Sequence, residues 1–195
     1  MGNECATFLL TSFSDRKAMK PPETFETPQF LLRRPVFDDI DTIFQKYAQD
    51  QEVTKYLIWR PHENINVTRE YVRRCIQCWK DETAFPWVIV RKNDYELVGM
   101  IELRLDKFIA DLGYVIAREY WGKGYATEIT KSIVEWTMAQ ENIYRCWATC
   151  DIENLASARV LEKAGMQREG VLRRFTVHPN ISDEPRDSYC YSAVK

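Results

Sequence analysis

The chain has 195 residues, 45% of them hydrophobic and 13% aromatic, which suits one domain with a large core and excludes a disordered chain. Charged residues make up 29% and the formal net charge is -2, so the strongly basic footprint of a nucleic-acid binder is missing. No apolar run approaches the ~20 residues that span a bilayer.

The N-terminus offers only Phe8-Leu9-Leu10 as an apolar stretch, too short for a signal-peptide core. It begins Met1-Gly2, but Ala6 stands where myristoylation requires Ser or Thr. A cytoplasmic chain is therefore expected. The sequons at Asn66-Val67-Thr68 and Asn180-Ile181-Ser182 then read as chance, and Cys5, Cys75, Cys78, Cys146, Cys150 and Cys190 read as reduced thiols. Cys75-x-x-Cys78 invites a metal or redox reading. However, no second pair of that spacing follows, and the only histidines are His62 and His178. Both cysteines also fall on one face of a helical pattern, so buried thiols are expected and no metal.

Residues 1–27 read as an N-terminal extension, irregular and ending near Pro21-Pro22 and Pro28. The domain proper is expected over 28–195. A strand is predicted at Phe30 to Arg33. A helix follows, opened by Asp38-Asp39, with Ile40, Ile43, Phe44 and Tyr47 on its apolar face. Asn66 is placed to cap a second helix carrying Tyr71, Val72, Ile76 and Trp79. After Pro86 the period changes to that of strands: "WVIVRK", "YELVGMIELRL" and "ADLGYVI" make a meander, with a loop near Asp106 to Ile109. Ile129, Ile133, Trp136 and Gln140 mark an amphipathic helix. "RCWATCDI" is a strand with Cys146 and Cys150 facing the core. Asn154 caps a helix to Ala164, closed by Gly165, and two last strands fit Val171 to Thr176 and Tyr189 to Val194.

Ahead of the Ile129 helix stands "YWGKGYATE", Tyr120 to Glu128, with two glycines in a chain that has 7. Amide N–H groups at a helix N-terminus lack internal partners and carry partial positive charge, which suits phosphate. Without a Cβ, Gly122 and Gly124 allow close approach, and Lys123 adds charge or points to solvent. The pattern is not the P-loop G-x-x-x-x-G-K-[ST]. Nor is it the dinucleotide G-x-G-x-x-G, since Thr127 holds the third position and the preceding strands form a meander. On spacing alone a tight turn explains it equally well.

"LGYVIAREYWGKGYATE" at 112–128, followed by "NLASARVLEKAGMQREG" at 154–170, resembles the GNAT N-acetyltransferase superfamily, and most of all its Rim-like branch of ribosomal-protein N-terminal acetyltransferases. The family signature [RQ]-x-x-G-x-[GA] is read here as Trp121-x-x-Gly124-x-Ala126, with Trp121 where Arg or Gln is usual. The resemblance covers roughly Pro28 to Lys195. It implies an α+β or α/β GNAT fold: a mixed, mostly antiparallel twisted sheet of about six to seven strands and about four helices, splayed at the acetyl-CoA site. Acetyl-CoA is the implied acyl donor, wedged between the strand ending at Ile116 and "RCWATCDI". Its pantetheine arm is expected on the main chain of Val115 and Ile116. Its pyrophosphate is expected on the turn of Trp121, Gly122, Lys123, Gly124, Tyr125, Ala126 and Thr127, with Asn154 and Ser157 at the pantetheine end.

The implied reaction is transfer of acetyl from the thioester to a primary amine, either a protein N-terminus or a small molecule. It requires a proton acceptor for the amine and a proton donor for the leaving thiolate. Ser157 is the candidate donor, although N-x-x-S also reads as simple helix capping. Glu102, mid-strand with Met100 on the face opposite Ile101 and Leu103, is the candidate base, against a merely solvated strand face. Asp111 and water are the alternatives. Tyr114 and Tyr120 are further donors, or packing residues. Thr176 stands where some Rim-type relatives carry a carboxylate. "YLIWRPH" is expected on the acceptor side, with Tyr56, Trp59 and His62 shaping it or filling core. The competing readings are transfer of another acyl group, a CoA-binding sensor without turnover, and a Cys-x-x-Cys metal module. A monomer or homodimer is expected, with no nucleic-acid or membrane partner.

Overall fold

The computed structural model describes residues 20–195. Cys5, Phe8-Leu9-Leu10 and the remainder of 1–19 lie outside the described residues. Within the stretch read as an extension, 20–27, the chain forms strand β1 (Thr24–Glu26), which pairs with β2 (Phe30–Arg33) at the sheet edge. The first helical region is broken into pieces. A 3-10 turn (Phe37–Asp39) leads into α1 (Ile40–Ile43), a π-turn (Phe44–Ala48) and α2 (Gln51–Thr54). A regular helix was expected over the first part of this region. Its acidic start has another use: buried Asp39 accepts from two Arg33 nitrogens at 2.6 and 2.9 Å and from the Val36 amide at 2.8 Å.

Helix α3 (Ile65–Asp81) is capped by Asn64, whose side chain accepts from the Asn66 amide at 3.0 Å. Asn66, expected as the cap, therefore sits inside the first turn. Val72 and Trp79 face the core, Cys75 is buried and Cys78 half-buried. Trp79 meets Phe85 and Trp87 edge-on, with ring centroids 5.1 and 5.4 Å apart.

Strands β3 (Phe85–Arg91), β4 (Leu97–Asp106) and β5 (Ile109–Ile116) form the meander. A two-residue turn closes β4 onto β5, with Lys107 at φ 54. Helix α4 (Tyr125–Ala139) then crosses to β6 (Arg145–Asp151), and α5 (Leu155–Lys163) to β7 (Gln167–Val177) and β8 (Pro185–Val194). The last two strands are longer than Val171 to Thr176 and Tyr189 to Val194. β7 is the exposed edge, where alternation gives no boundary.

The sheet has eight strands in the order β1-β2-β3-β4-β5-β6-β8-β7, against the six to seven expected, and five α-helices against four. All neighbours are antiparallel except β5 and β6. That parallel pair is held only where Ile109 to Asp111 meet Arg145 to Trp147. Beyond it, β5 stays on β4 up to Ile116 and β6 stays on β8 up to Asp151. The sheet therefore splits between Leu112–Ile116 and Ala148–Asp151. No helix among the described residues is long and apolar enough to cross a membrane.

Candidate active site

The split opens into a cleft of about 1380 Å³ bounded by β5, β6, the start of α4, the start of α5, and the loop after α2. At one end β5 runs through a 3-10 turn (Arg118–Tyr120) into the two glycines. Gly122 has φ 74 and Gly124 φ 81, the left-handed region that side chains with a Cβ avoid. Gly124 is the N-cap of α4, and the first main-chain bond of the helix runs from the Glu128 amide to the Gly124 carbonyl at 3.0 Å. Among the described residues, no main-chain carbonyl accepts from the amides of Gly122 to Thr127. Apart from the adjoining chain, no protein atom lies within 4 Å of where a Cβ would stand on either glycine. Unpartnered amides, a helix N-terminus and empty space in front of them fit a phosphate group.

Lys123 is exposed but lies against an aromatic ring. Its ammonium lies 5.4 Å from the centre of the Tyr120 ring, as do Lys46 at 5.3 Å and the Arg91 guanidinium at 5.2 Å. The Tyr120 hydroxyl meets Lys46 at 3.1 Å and Glu96 at 3.5 Å, so it serves this basic cluster and not a leaving thiolate. Trp121 is half-exposed and its indole N–H donates to the Ile116 carbonyl at 2.7 Å. The residue that departs from the family pattern thus closes off the last carbonyl of β5.

Further in, α5 begins at the split. Asn154 caps it, its side chain accepting from the Ser157 amide at 3.1 Å, as the N-x-x-S spacing predicts. That leaves the Ser157 hydroxyl free to turn into the cleft, where it lies 2.8 Å from the Tyr114 hydroxyl of β5. Burial pushes the Tyr114 phenol well above its ordinary value, which keeps it protonated and able to donate. The two residues are 43 apart in sequence, and only the splayed sheet brings them together. Cys150 nearby is an inert thiol, pushed up to about 12 first by burial and then by Asp151.

Glu102 and Met100 share a face of β4 and line the cleft, with Tyr71 of α3 lying over Met100, its hydroxyl 3.6 Å from the sulfur. The Glu102 carboxylate is paired with Arg104, and Arg104 Nε donates to Asp111 at 2.8 Å. The two candidate bases are therefore bridged by one guanidinium, which sequence reading did not anticipate.

The opposite wall is aromatic. Trp59, His62 and Tyr71 pack together, with the Trp59 and His62 rings 4.9 Å apart. His62 Nδ1 lies 2.8 Å from the Thr68 hydroxyl, and burial lowers its pKa, so it is a neutral packing group. The loop is fastened by Asn180, whose amide donates to the carbonyls of Thr54 and Trp59 at 2.7 and 2.8 Å. Tyr56 meets His178 edge-on at 6.4 Å. Asn180 and His178 are site residues that sequence reading missed. Neither carries a motif, and Asn180 had been weighed only as a chance sequon.

The family model for the acetyltransferase (GNAT) domain matches residues 29–167. An uncharacterized N-acetyltransferase of Bacillus subtilis, YoaA, is 31% identical over 173 residues, covering 87% of this chain and 96% of that protein. The crystal structure of a GNAT-family acetyltransferase from Bacillus anthracis superposes with a TM-score of 0.76 at 26% identity, covering 88% of this chain and 98% of the other. The ribosomal L7/L12 α-N-protein acetyltransferase RimL in complex with coenzyme A shares the fold, with a TM-score of 0.74 at 18% identity, covering 86% and 95%.

Proposed function

From the premise that this chain belongs to the GNAT family, and is an N-acetyltransferase that carries acetyl from acetyl-CoA to an amine, we propose that the split sheet and the glycine turn hold the donor, and that the acceptor is a primary amine on a protein N-terminus or a small molecule. The observation that carries this reading is the run of unpartnered amides from Gly122 to Thr127 beside the only parallel strand pair of the described sheet. The pyrophosphate rests on those amides, those of Lys123, Tyr125 and Ala126 among them, while Trp121, whose own amide donates to the Arg118 carbonyl, flanks the cradle. The pantetheine arm follows β5 at Val115 and Ile116, and Asn154 holds the entrance to α5.

In the reaction the amine nitrogen attacks the thioester carbonyl, the carbon–sulfur bond breaks, and the acetyl group becomes an amide. Ser157, bonded to Tyr114, returns a proton to the leaving thiolate. Glu102 receives the proton that the amine gives up, with Arg104 fixing the carboxylate. Every group assigned a role comes from one chain, so a monomer suffices. The free cysteines among the described residues accord with a reducing cytosol. Among the family's branches the reading favours the Rim-like one, since a ribosomal-protein acetyltransferase shares the fold.

The test is acetyl transfer followed by mass spectrometry against a panel of free-N-terminal peptides, their N-blocked counterparts and small amines. Transfer to free amines alone, lost in Glu102→Gln and Ser157→Ala with donor binding retained, is the expected result. Full donor binding without transfer to any amine contradicts the proposed acceptor class.

A further inference from the structure

The 3-10 turn that leads into the glycines consists of Arg118, Glu119 and Tyr120, and one short segment, residues 46–50, holds all three. Lys46 donates to Glu119 Oε1 at 2.8 Å and to the Tyr120 hydroxyl at 3.1 Å. Its third partner is Glu96 Oε2 at 2.7 Å, just ahead of β4. An ammonium has three donors, so Lys46 is satisfied by three separate partners. Asp50 divides its carboxylate. Oδ1 accepts from the Glu52 amide at 2.9 Å and caps α2, while Oδ2 lies 3.0 Å from Arg118 Nε.

Lys46 belongs to the π-turn Phe44–Ala48, a winding that is rare and occurs mostly at functional sites. The turn seats Tyr47 in the core, 1% exposed, and leaves Lys46 half-buried against Glu119 and Tyr120. Its last carbonyl, that of Ala48, accepts from the His62 amide at 2.8 Å. One segment therefore joins the turn before the glycines to the aromatic wall.

Stability does not account for this arrangement. Glu96 and Glu119 are largely exposed, and ion pairs of that kind contribute little. Attraction for phosphate does not account for it either, because two carboxylates face one ammonium and leave a negative charge over. What Lys46 supplies is geometry.

We propose that Lys46 is a positioning residue for the acetyl donor: bonded to Glu119 and Tyr120, it fixes the turn before Gly122, so that the amides of Gly122 to Thr127 are set for phosphate before acetyl-CoA arrives. This rests on reading the glycine turn as the donor site. Two glycines give that turn more backbone freedom than other residues would. A turn ordered in advance binds more tightly than one the ligand must order. Ordering the backbone of one residue corresponds to about a 5- to 30-fold change in affinity.

The experiment measures the Kd of acetyl-CoA by calorimetry, without any acceptor, in the full-length enzyme, in Lys46→Met, in Glu119→Ala and in the double variant. The Tm of each is measured alongside. We expect both single variants to bind about 5- to 30-fold more weakly. The double variant should stay near the weaker single one, because the two side chains act as a unit. The Tm should fall by no more than a few degrees. Charge acting alone predicts a different pattern: Lys46→Met weakens binding, Glu119→Ala tightens it, and the double variant returns to the unchanged enzyme. Opposite shifts, or that return, overturn the role of Lys46 and leave the donor site standing. So does a Kd within twofold of the unchanged enzyme in both single variants, or a weakened Kd that comes with a Tm lowered by about ten degrees or more. No binding of acetyl-CoA by the unchanged enzyme overturns the donor site and the role of Lys46 together.

Discussion

Ser157 and Tyr114 share one hydrogen bond, and that bond decides how their variants should combine. If the pair delivers one proton to the thiolate, Ser157→Ala and Tyr114→Phe each lower kcat by roughly 10²-fold or more, the usual range for a general acid. The double variant should then fall little below the worse single one, because groups acting as a unit are not additive. Steady-state kinetics of the three variants check this, and full additivity would argue that the residues work separately. Ser157 was legible as a candidate from its place in N-x-x-S. Its partner was not, because nothing at position 114 tells a packing tyrosine from a donor until the strands part. Glu102 was likewise legible by alternation on β4, but the Arg104 bridge to Asp111 was not, since it needs the hairpin register that pairs Arg104 with Asp111.

Asp151 gives the pH dependence its sign. Burial raises its carboxyl, but the Arg186 bond, the Glu153 amide and the nearby charges together leave it below its ordinary value. A depressed folded-state pKa adds stability that is present above the unfolded value and is lost as the pH falls through the folded one. Asp151→Asn should therefore destabilise the protein by roughly 1–2 kcal/mol at neutral pH, because it removes the buried carboxylate that accepts from Arg186, whose remaining partner is Glu153. That cost should shrink on acidification below the ordinary carboxylate range. Denaturant melts at neutral and acid pH read the difference, and a cost constant with pH would refute the assignment.

At the scale of elements, the strand meander, α3, α4 and α5 were legible because their apolar periods and caps agree. The π-turn at Phe44–Ala48 was not, since an apolar face at Ile40, Ile43 and Tyr47 suits either winding. Edge strands β1 and β7 were missed or shortened because neither buries a full face. Gly99 lets β5 lie close on β4 beside the split: a Cβ there would meet the Val115 carbonyl at 2.1 Å. Gly99→Ala should push β5 away at Val115, lower the Tm by several degrees, and weaken donor binding, all of which thermal melts with and without acetyl-CoA can follow. The glycine turn behaves differently. Gly124→Ala meets no protein atom but must hold φ 81, costing about 1–2 kcal/mol. Its larger effect should fall on acetyl-CoA affinity, because the added methyl enters the space proposed for the phosphate.

For the molecule as a whole, the route from sequence to function passes through one topological event. Seven strand pairings make a continuous sheet, and the single parallel one is too short to keep β5 and β6 together. Everything assigned to chemistry gathers at that gap: the amides before α4, Ser157 at the start of α5, Tyr114 on β5, Glu102 on β4. The glycine motif was legible as a place proposed for phosphate. No local pattern told where the sheet parts, because separation depends on β5 and β6 each keeping their outer neighbours. The N-terminal side is tied into the same frame: Glu128 in the first turn of α4 accepts from the Thr27 hydroxyl at 2.7 Å and the Gln29 amide at 3.0 Å. The start of α4 and the sheet edge therefore hold each other in place.

The most direct measurement is thermal unfolding with acetyl-CoA, with ATP and NAD as controls. Donor at ~100 times its Kd should add ~2.7 kcal/mol, a shift of several degrees, and Gly124→Ala should lose most of it. A shift specific to acetyl-CoA and abolished by that change is what the split sheet predicts. An equal shift with all three ligands, or none with acetyl-CoA, would contradict the claim that the glycine turn and the gap between β5 and β6 form the donor site.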